Sequence, residues 1–305
     1  MARSVVDAPI LIRTMTEGDL ETAIDWAAAE GWNPGLADAE CFRAADPDGF
    51  LMLVENGEPA ASISVVRYPG RFGFLGFYIA RPDRRGRGLG LRLWEAGMTR
   101  LDGCTVGLDG VVAQQENYAR SGFVLAHRNV RYQGAPSLDA APDPRVVPVR
   151  DDLLPKILAF DRAFFPADRW RFLRCWLRPD RRRALAFVEN GPVEGYGVIR
   201  SCRAGHKIGP LFARNAGVAA ALFSALTSGA SRRSSSTFPS PTAKLSRSRW
   251  RTVWRRASRP PGCIAARRRT SRSPKSSASG RSSSAERRIS VCSETGRRTI
   301  GLDLA

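Results

Sequence analysis

The sequence predicts an α/β (α+β) protein: two copies of a mixed, mostly antiparallel sheet flanked by helices, followed by a disordered C-terminal tail. Three observations predict it. Strand-type runs and helical apolar spacing follow one another in a fixed order, and that order returns after a short linker. Near residue 231 the periodicity stops and serine and arginine take over. With 305 residues, 43% of them hydrophobic, the chain can bury two cores of ordinary size.

The first copy opens with a strand, "ILIRTM" (10–15), and a helix in "TEGDLETAIDWAAAEGW" (16–32). Thr16 and Asp19 offer N-cap oxygens, Leu20, Ile24 and Ala27 repeat at helical spacing, and Gly31 stops the helix. "FLMLVENGEPAASISVVRY" (50–68) reads as two strands joined at Asn56-Gly57, a strong hairpin signal. "FGFLGFYIA" (72–80) is a third strand, and "RRGRGLGLRLW" (84–94) follows it as a glycine-rich loop that becomes a helix. Leu91, Trp94, Met98 and Leu101 are expected on one face of that helix. A strand "TVGLDGVV", a short helix "QQENYARSGF" closed by Gly122, and a strand "VLAHRNVRY" complete the copy.

After the linker the plan repeats. "RVVPVRDDLLPKILAFDRAFF" is again strand then helix, and "ALAFVENGPVEGYGVIR" matches "LMLVENGEPAASISVVR", with Val-Glu-Asn-Gly at 54–57 and 188–191. A tandem duplication follows. The copies differ at the loop: the second has Gly217 where the first has Gly86, Gly88 and Gly90, so a phosphate cradle is expected in the first alone.

The net charge of +19 suggests a nucleic-acid binder until it is located. Residues 231–305 hold 19 Lys and Arg against 3 Asp and Glu, so the body is close to neutral. Six cysteines are scattered without a CxxC pair, and there are two histidines, so neither a disulfide framework nor a zinc site is expected. The start has no apolar signal region, and no run is long enough to span a bilayer. A reduced, cytoplasmic, metal-free protein is the expectation.

A strand, then glycines, then a helix leaves unpaired backbone N–H groups at the positive end of the helix dipole, which is an anion site. A Walker loop would need GxxxxGK[ST], which is missing. A dinucleotide fingerprint would need a third glycine where Leu91 or Leu93 stands, although Asp109 lies at a suitable distance. Arg85-x-x-Gly88-x-Gly90 does fit, and at these residues the sequence resembles the GNAT acyltransferase family, whose pyrophosphate loop is Gln/Arg-x-x-Gly-x-Gly/Ala. "YIARPDRRGRGLGLRLWEAGM" is similar to that motif throughout, and "NYARSGF" to the family's later Tyr-x-x-x-Gly-Phe, with Tyr118, Gly122 and Phe123. One departure is Val111, where the family usually has Asn.

The resemblance implies two GNAT-like folds in tandem: residues 1–134 as the acetyl-CoA-binding domain, 135–144 as a linker, 145–230 as a truncated, degenerate second domain, and 231–305 as the tail. It implies that Tyr78, Ile79 and Ala80 pair with the pantetheine arm. Arg85, Gly86, Arg87, Gly88, Leu89, Gly90 and Leu91 would hold the pyrophosphate, with Arg84 adding charge. Tyr118 is the candidate general acid for the departing thiolate, since a tyrosine titrates near 10 and a thiol near 8.5. Glu116 and Asp109 are weak candidates for a base, and His127 and His206 read as structural. The implied activity is transfer of an acetyl group from acetyl-CoA, as co-substrate, to an amine-bearing acceptor. Phe164, Phe165, Trp170 and Trp176 either wall a cleft for that amine or pack as core. A non-catalytic acyl-CoA sensor is one alternative; a nucleic-acid-associated protein acting through the basic tail is the other, and is disfavoured. No membrane partner is expected.

The tail reads as an out-of-frame continuation. Shifting the frame by one nucleotide lets 235–255, "SSTFPSPTAKLSRSRWRTVWR", become "FLDVPEPNRKAVALALADGLE", a strand, a turn and an amphipathic helix. Residues 260–266 then permit a counterpart of "NVRYQG" at 129–134. As written, the segment has too little apolar surface to offset the entropy of ordering it, so it is expected to be irregular and to leave the second sheet with an open edge.

Overall fold

The structure is a computed structural model that describes residues 9–133, 142–179, 182–228 and 246–256. The first domain runs β1 (Ile10–Thr14), α1 (Glu17–Ala29), α2 (Asp38–Ala45), β2 (Phe50–Glu55), β3 (Glu58–Tyr68), β4 (Phe72–Ala80), α3 (Leu89–Arg100), β5 (Thr105–Val111), α4 (Gln115–Arg120) and β6 (Val124–Gln133). The second runs β7 (Val146–Pro148), α5 (Leu154–Asp161), α6 (Trp170–Trp176), β8 (Arg182–Val188), β9 (Val193–Ser201), β10 (His206–Ala213) and α7 (Ala216–Ser228), and β11 (Ser246–Arg256) follows. The mixed, mostly antiparallel sheets and flanking helices are as the sequence predicts. Among the described residues no helix is long and apolar enough to cross a membrane.

Local signals account for the start of the chain. Thr16 Oγ1 accepts from the Asp19 amide at 3.2 Å, and Asp19 accepts from the Thr16 amide at 2.8 Å, a capping box that starts α1. The Arg13 guanidinium also grips the Asp19 carboxylate, tying the end of β1 to the start of α1. Burial alone would raise the Asp19 carboxyl, but the hydrogen bonds from Arg13 and Thr16 outweigh it and hold it at about 2. Asn56 and Gly57 turn the β2–β3 hairpin, both at positive φ.

The first sheet has the order β1-β2-β3-β4-β5-β11-β6, and only the β4–β5 pair is parallel. One core lies between this sheet and α3, built on Leu53, Ile63, Val65, Leu93, Leu101 and Val106. The opposite face packs on α1 and α2 through Met15, Leu20, Phe50 and Met52. Leu91, expected on the apolar face of α3, is instead 59% exposed. The stripe that meets the sheet is Leu89, Leu93, Trp94 and Gly97, because Gly97 lets the helix approach Val65 and Ile63 closely. α2, in a stretch with no clear sequence signal, lies against the second domain.

The second sheet has the order β10-β9-β8-β7, all antiparallel, so β10 is an edge among the described residues. Its α5–α6 face buries Ile157, Phe172, Leu173, Trp176 and Tyr196 together with Cys41 of α2. Phe165 and Trp176 are buried; Phe165 packs on Tyr68 and Phe72, and Phe164 stacks on Phe212 at 4.4 Å. Of the four aromatics considered for a cleft, these three are core or interface, and only Trp170 is exposed.

Two expectations are corrected. Cys41 and Cys175 form a disulfide between α2 and α6, although their separation of 134 residues carries no spacing signal. Residues 246–256, inside the segment expected to be an irregular tail, form β11. β5 and β6 do not pair with each other. Each pairs antiparallel with β11, which therefore fills a slot one strand wide. The unpaired backbone groups of that slot need partners, and a stretch containing Trp250, Thr252, Val253 and Trp254 can supply them despite its serines and arginines. The rest of the tail (229–245 and 257–305) and most of the linker (134–141) lie outside the described residues.

The Arg13–Asp19 contact gives a pH test. A carboxyl held at about 2 contributes stability above its unfolded value of about 3.9 and loses it on protonation. Asp19→Asn is expected to lower the melting temperature at neutral pH, with the gap to the native protein closing between pH 4 and 2. Thermal melts showing a constant gap across that range would assign the loss to something other than this charge.

Candidate functional site

The site is built where β4 and β5 part. Their parallel register runs from Phe72↔Thr105 to Leu75↔Leu108 and ends there, while β4 continues to Ala80 and β5 to Val111. β4 is also bulged at this point: the register with β3 slips between Ser64↔Gly76 and Ser62↔Ile79. Phe77 sits in the bulge at φ +47°, and its carbonyl accepts from Ser62 Oγ at 2.9 Å. A bulge turns the strand and re-aims its side chains. Tyr78, Ile79 and Ala80 therefore line the β4 side of a wedge.

The glycine loop closes one end of this wedge. Pro82–Arg84 form a single tight turn, Gly86 and Gly88 take φ +75° and +77°, and α3 begins at Leu89. A side chain at Gly88 would be strained whatever space it had, because that left-handed conformation disfavours a Cβ. Among the described residues, the amides of Gly86, Arg87, Gly88, Leu89, Gly90 and Leu91 donate to no intramolecular acceptor; the ladder resumes with Arg92, which donates to Gly88 at 3.1 Å. All seven predicted loop residues, Arg85 through Leu91, are thus together at the α3 N-terminus. Gly90 has a separate reason to be glycine: a Cβ there would lie 2.9 Å from the Tyr78 hydroxyl.

The arginines of the loop are arranged differently from the expectation that all three add charge for a bound anion. Arg84 and Arg87 both bind Glu55, which is 2% exposed at the end of β2: Arg84 at 2.7 Å, and Arg87 at 2.7 and 2.9 Å. Arg85 pairs with Glu30, and its Nε donates to the Ala80 carbonyl at 3.0 Å. Each of the three is engaged by a carboxylate, and these contacts brace the loop. Glu55 was missed by sequence reading because nothing local marks a glutamate at a hairpin as the anchor of a loop about 30 residues later. Among the described residues the second copy has no such glycine loop. There Asn215 accepts from the Val218 amide at 3.0 Å and so caps α7, and the equivalent glutamate, Glu189, pairs with Arg145.

Tyr118 stands on α4, next to Trp94 of α3, with rings 6.1 Å apart and nearly parallel. Trp94 also contacts Tyr78 at 5.3 Å. Burial, with a smaller contribution from the nearby Tyr118, pushes the Tyr78 phenol up to about 12, so it stays protonated at neutral pH. Tyr118 thus joins the cofactor-side residues predicted from sequence. Asp109 lies on β5 just beyond the last β4–β5 pair, half-buried. Glu116 is exposed on α4 and paired with Arg120. His206 is exposed at the start of β10, and the His127 side chain lies outside the described residues. Among the described residues no three His, Cys, Asp or Glu side chains come together to hold a metal.

Comparison with known proteins bears on the family and the fold. The profile described as Acetyltransferase (GNAT) family matches residues 18–123, and that described as Acetyltransferase (GNAT) domain matches residues 157–247. The holothin acyltransferase of Pseudoalteromonas sp. (strain SANK 73390) is 33% identical over 221 residues, covering 72% of this chain and 75% of that protein. Among solved structures, a putative acetyltransferase from Pyrococcus horikoshii superimposes with a TM-score of 0.64 at 22% identity, over 85% of this chain and 93% of its own. A GCN5-related N-acetyltransferase from Sphaerobacter thermophilus gives 0.55 at 17% identity, over 82% and 96%. These two likenesses speak for the fold.

The brace on the loop is testable without any ligand. Glu55→Gln removes the charge that Arg84 and Arg87 share, and is expected to cost roughly 2 kcal/mol, as for charge-assisted hydrogen bonds with partly solvated partners. Urea unfolding measures it, and an unchanged midpoint would mean that the two arginines are held by something else.

Proposed function

The chain belongs to the GNAT acyltransferase family, with two GNAT domains in tandem, and from that premise we propose that the first domain moves an acetyl group from acetyl-CoA to a primary amine of a small molecule. The observation that carries this reading is the set of six uncommitted amides at the start of α3, set at the open end of the β4–β5 wedge. Backbone N–H groups at a helix N-terminus suit a pyrophosphate, and the space beside Gly86 and Gly88 is open.

The co-substrate supplies an activated acyl thioester; the chain's residues supply the rest. The amides of Gly86 through Leu91 hold phosphate oxygens, and the brace of Arg84 and Arg87 on Glu55 keeps those amides in place before any ligand arrives. Tyr78, Ile79 and Ala80 present strand backbone to an extended arm. The Ala80 carbonyl is engaged by Arg85, and Ile79 and Ala80 are in register with Ser62 and Ala61 of β3 on the other side. A fixed strand N–H aimed at the acyl oxygen stabilises developing negative charge without reorganisation, commonly the largest catalytic term. In this reading Tyr118 protonates the departing sulfur: its ring lies on Trp94, which also contacts Tyr78, and a phenol near 10 can donate to a thiolate near 8.5. An activity that consumes acyl-CoA puts the protein's work in the cytoplasm.

The acceptor is the open variable, and the acceptor named for the 33%-identical relative, holothin, is the first compound to test. Release of free thiol from acetyl-CoA with holothin and a panel of small amines measures the activity. Tight binding of acetyl-CoA with no turnover on any amine would instead make the protein a sensor.

Two substitutions separate binding from chemistry. Gly88→Val with Gly90→Val is expected to abolish calorimetric binding of acetyl-CoA, the first by backbone strain and the second by driving a side chain into Tyr78. Unchanged affinity would remove the loop from the site. Tyr118→Phe keeps the ring on Trp94 and removes the hydroxyl, so kcat is expected to fall about 10²-fold, in the range for a lost general acid, with little change in affinity. Equal rates across pH would reduce Tyr118 to a packing residue.

A further inference from the structure

The second domain grips one segment of the first domain closely. That segment is the loop Glu30–Leu36 between α1 and α2. Asn33 makes a reciprocal pair with Ala204 at the β9–β10 turn, donating to its carbonyl at 2.8 Å and accepting from its amide at 3.1 Å. Lys207 Nζ donates to the Trp32 carbonyl at 2.7 Å, the Leu36 amide donates to the Ser201 carbonyl at 3.0 Å, and Gly35 bridges to Cys202. Asn33 sits at φ +48°, in the left-handed region that asparagine adopts more readily than other non-glycine residues.

The same loop faces the site on its other side. The Trp32 ring meets Phe77 edge to face at 6.3 Å, and Phe77 is the bulged residue at which β4 changes register before Tyr78, Ile79 and Ala80. Glu30 holds Arg85, which in turn holds the Ala80 carbonyl. A continuous line of contacts therefore runs from the β9–β10 turn, through Asn33 and the Trp32 backbone, to the bulge of β4.

We propose that the β9–β10 hairpin of the second domain is the positioning element of the acyl-transfer site, acting through Asn33, Lys207 and Trp32 on the bulged stretch Phe77–Ala80. The inference rests on the reading of that stretch as the acyl-CoA strand. It gives the degenerate copy a function: it has lost the phosphate cradle and holds the wall of its neighbour's site. Asn33, Lys207 and Trp32 are positioning residues and touch no reacting atom in this scheme. The Cys41–Cys175 disulfide and the buried Asp38–Arg200 ion pair, at 3.0 Å, also dock the two domains, so loss of the Asn33 and Lys207 contacts need not separate them.

The test uses the full chain and hydrogen exchange read by mass spectrometry. In Asn33→Ala/Lys207→Ala, peptides covering 30–36 and 77–81 are expected to exchange about tenfold faster, and those of α5 and β8 to stay unchanged, as for a local opening. Trp32→Ala is expected to speed 77–81 alike, and adding Lys207→Ala to it should have no further effect there, because the two act in series. Calorimetry with CoA is expected to show about fivefold weaker binding for Lys207→Ala and near-native binding for Lys207→Arg, which keeps the donor. Native exchange at 77–81 in the double variant, or additive effects of Trp32→Ala and Lys207→Ala, would overturn the proposal. Failure of the native protein to bind CoA would overturn the acyl-CoA reading instead, while the exchange data still report whether the hairpin controls β4.

Discussion

Everything at the site depends on where two parallel strands stop pairing. β4 and β5 share four register pairs and then diverge at Leu75 and Leu108. Had they stayed paired, the backbone of Phe77–Ala80 would be consumed by the sheet, and the amides before α3 would face a closed edge. The bulge at Phe77 produces the turn-away, and Ser62 donates to the bulged carbonyl, which would otherwise lack a ladder partner. The opening is a property of backbone pairing, and the side chains around it serve to keep it open.

Charge pairing decides the shape of the loop beside that opening. Three arginines packed into a glycine turn would repel one another and wander if left to solvent. Glu55 collects two of them from a nearly buried position, and Glu30 takes the third. The glycines make the conformation accessible, and the carboxylates select it. The duplicated tetrapeptide shows how far this depends on context. Val-Glu-Asn-Gly turns a hairpin in both copies, with Asn56 and Asn190 both at positive φ, but only the first copy's glutamate has loop arginines to bind.

The two domains are joined by more than a linker. α2 packs against α6, Cys41 is bonded to Cys175, and Asp38 meets Arg200 within a buried seam. The second domain contributes its own charged core as well: Arg169 is bound bidentately by Asp161 at 2.6 and 2.8 Å, beneath Tyr196 and against the Phe165 ring. Tyr68 of the first domain shares this environment, and its phenol is pushed up to about 12 by burial there. Such an interface makes the halves one structural unit, which is why a copy without a cradle can still bear on the other copy's site.

By itself the sequence determined whatever is set by neighbours along the chain. The order of strands and helices, the Thr16–Asp19 capping box, the Asn-Gly turns, the glycine loop ahead of α3 and the turn at Gly122 all follow from dihedral preferences and spacings within a few residues. Tyr78–Ala80, Arg85–Leu91 and Tyr118 are read through the resemblance to the GNAT motifs, which Arg85-x-x-Gly88-x-Gly90 and Tyr118-x-x-x-Gly122-Phe123 carry. Only the tertiary structure decided which carboxylates take the loop arginines, that Leu91 turns outward while Gly97 faces the sheet, that Cys41 reaches Cys175, and that a serine- and arginine-rich stretch fills the slot between β5 and β6. Each of these joins residues remote in sequence, whose pairing depends on how whole sheets and helices stack. Burial and backbone demand, which no short window of residues encodes, set the outcome.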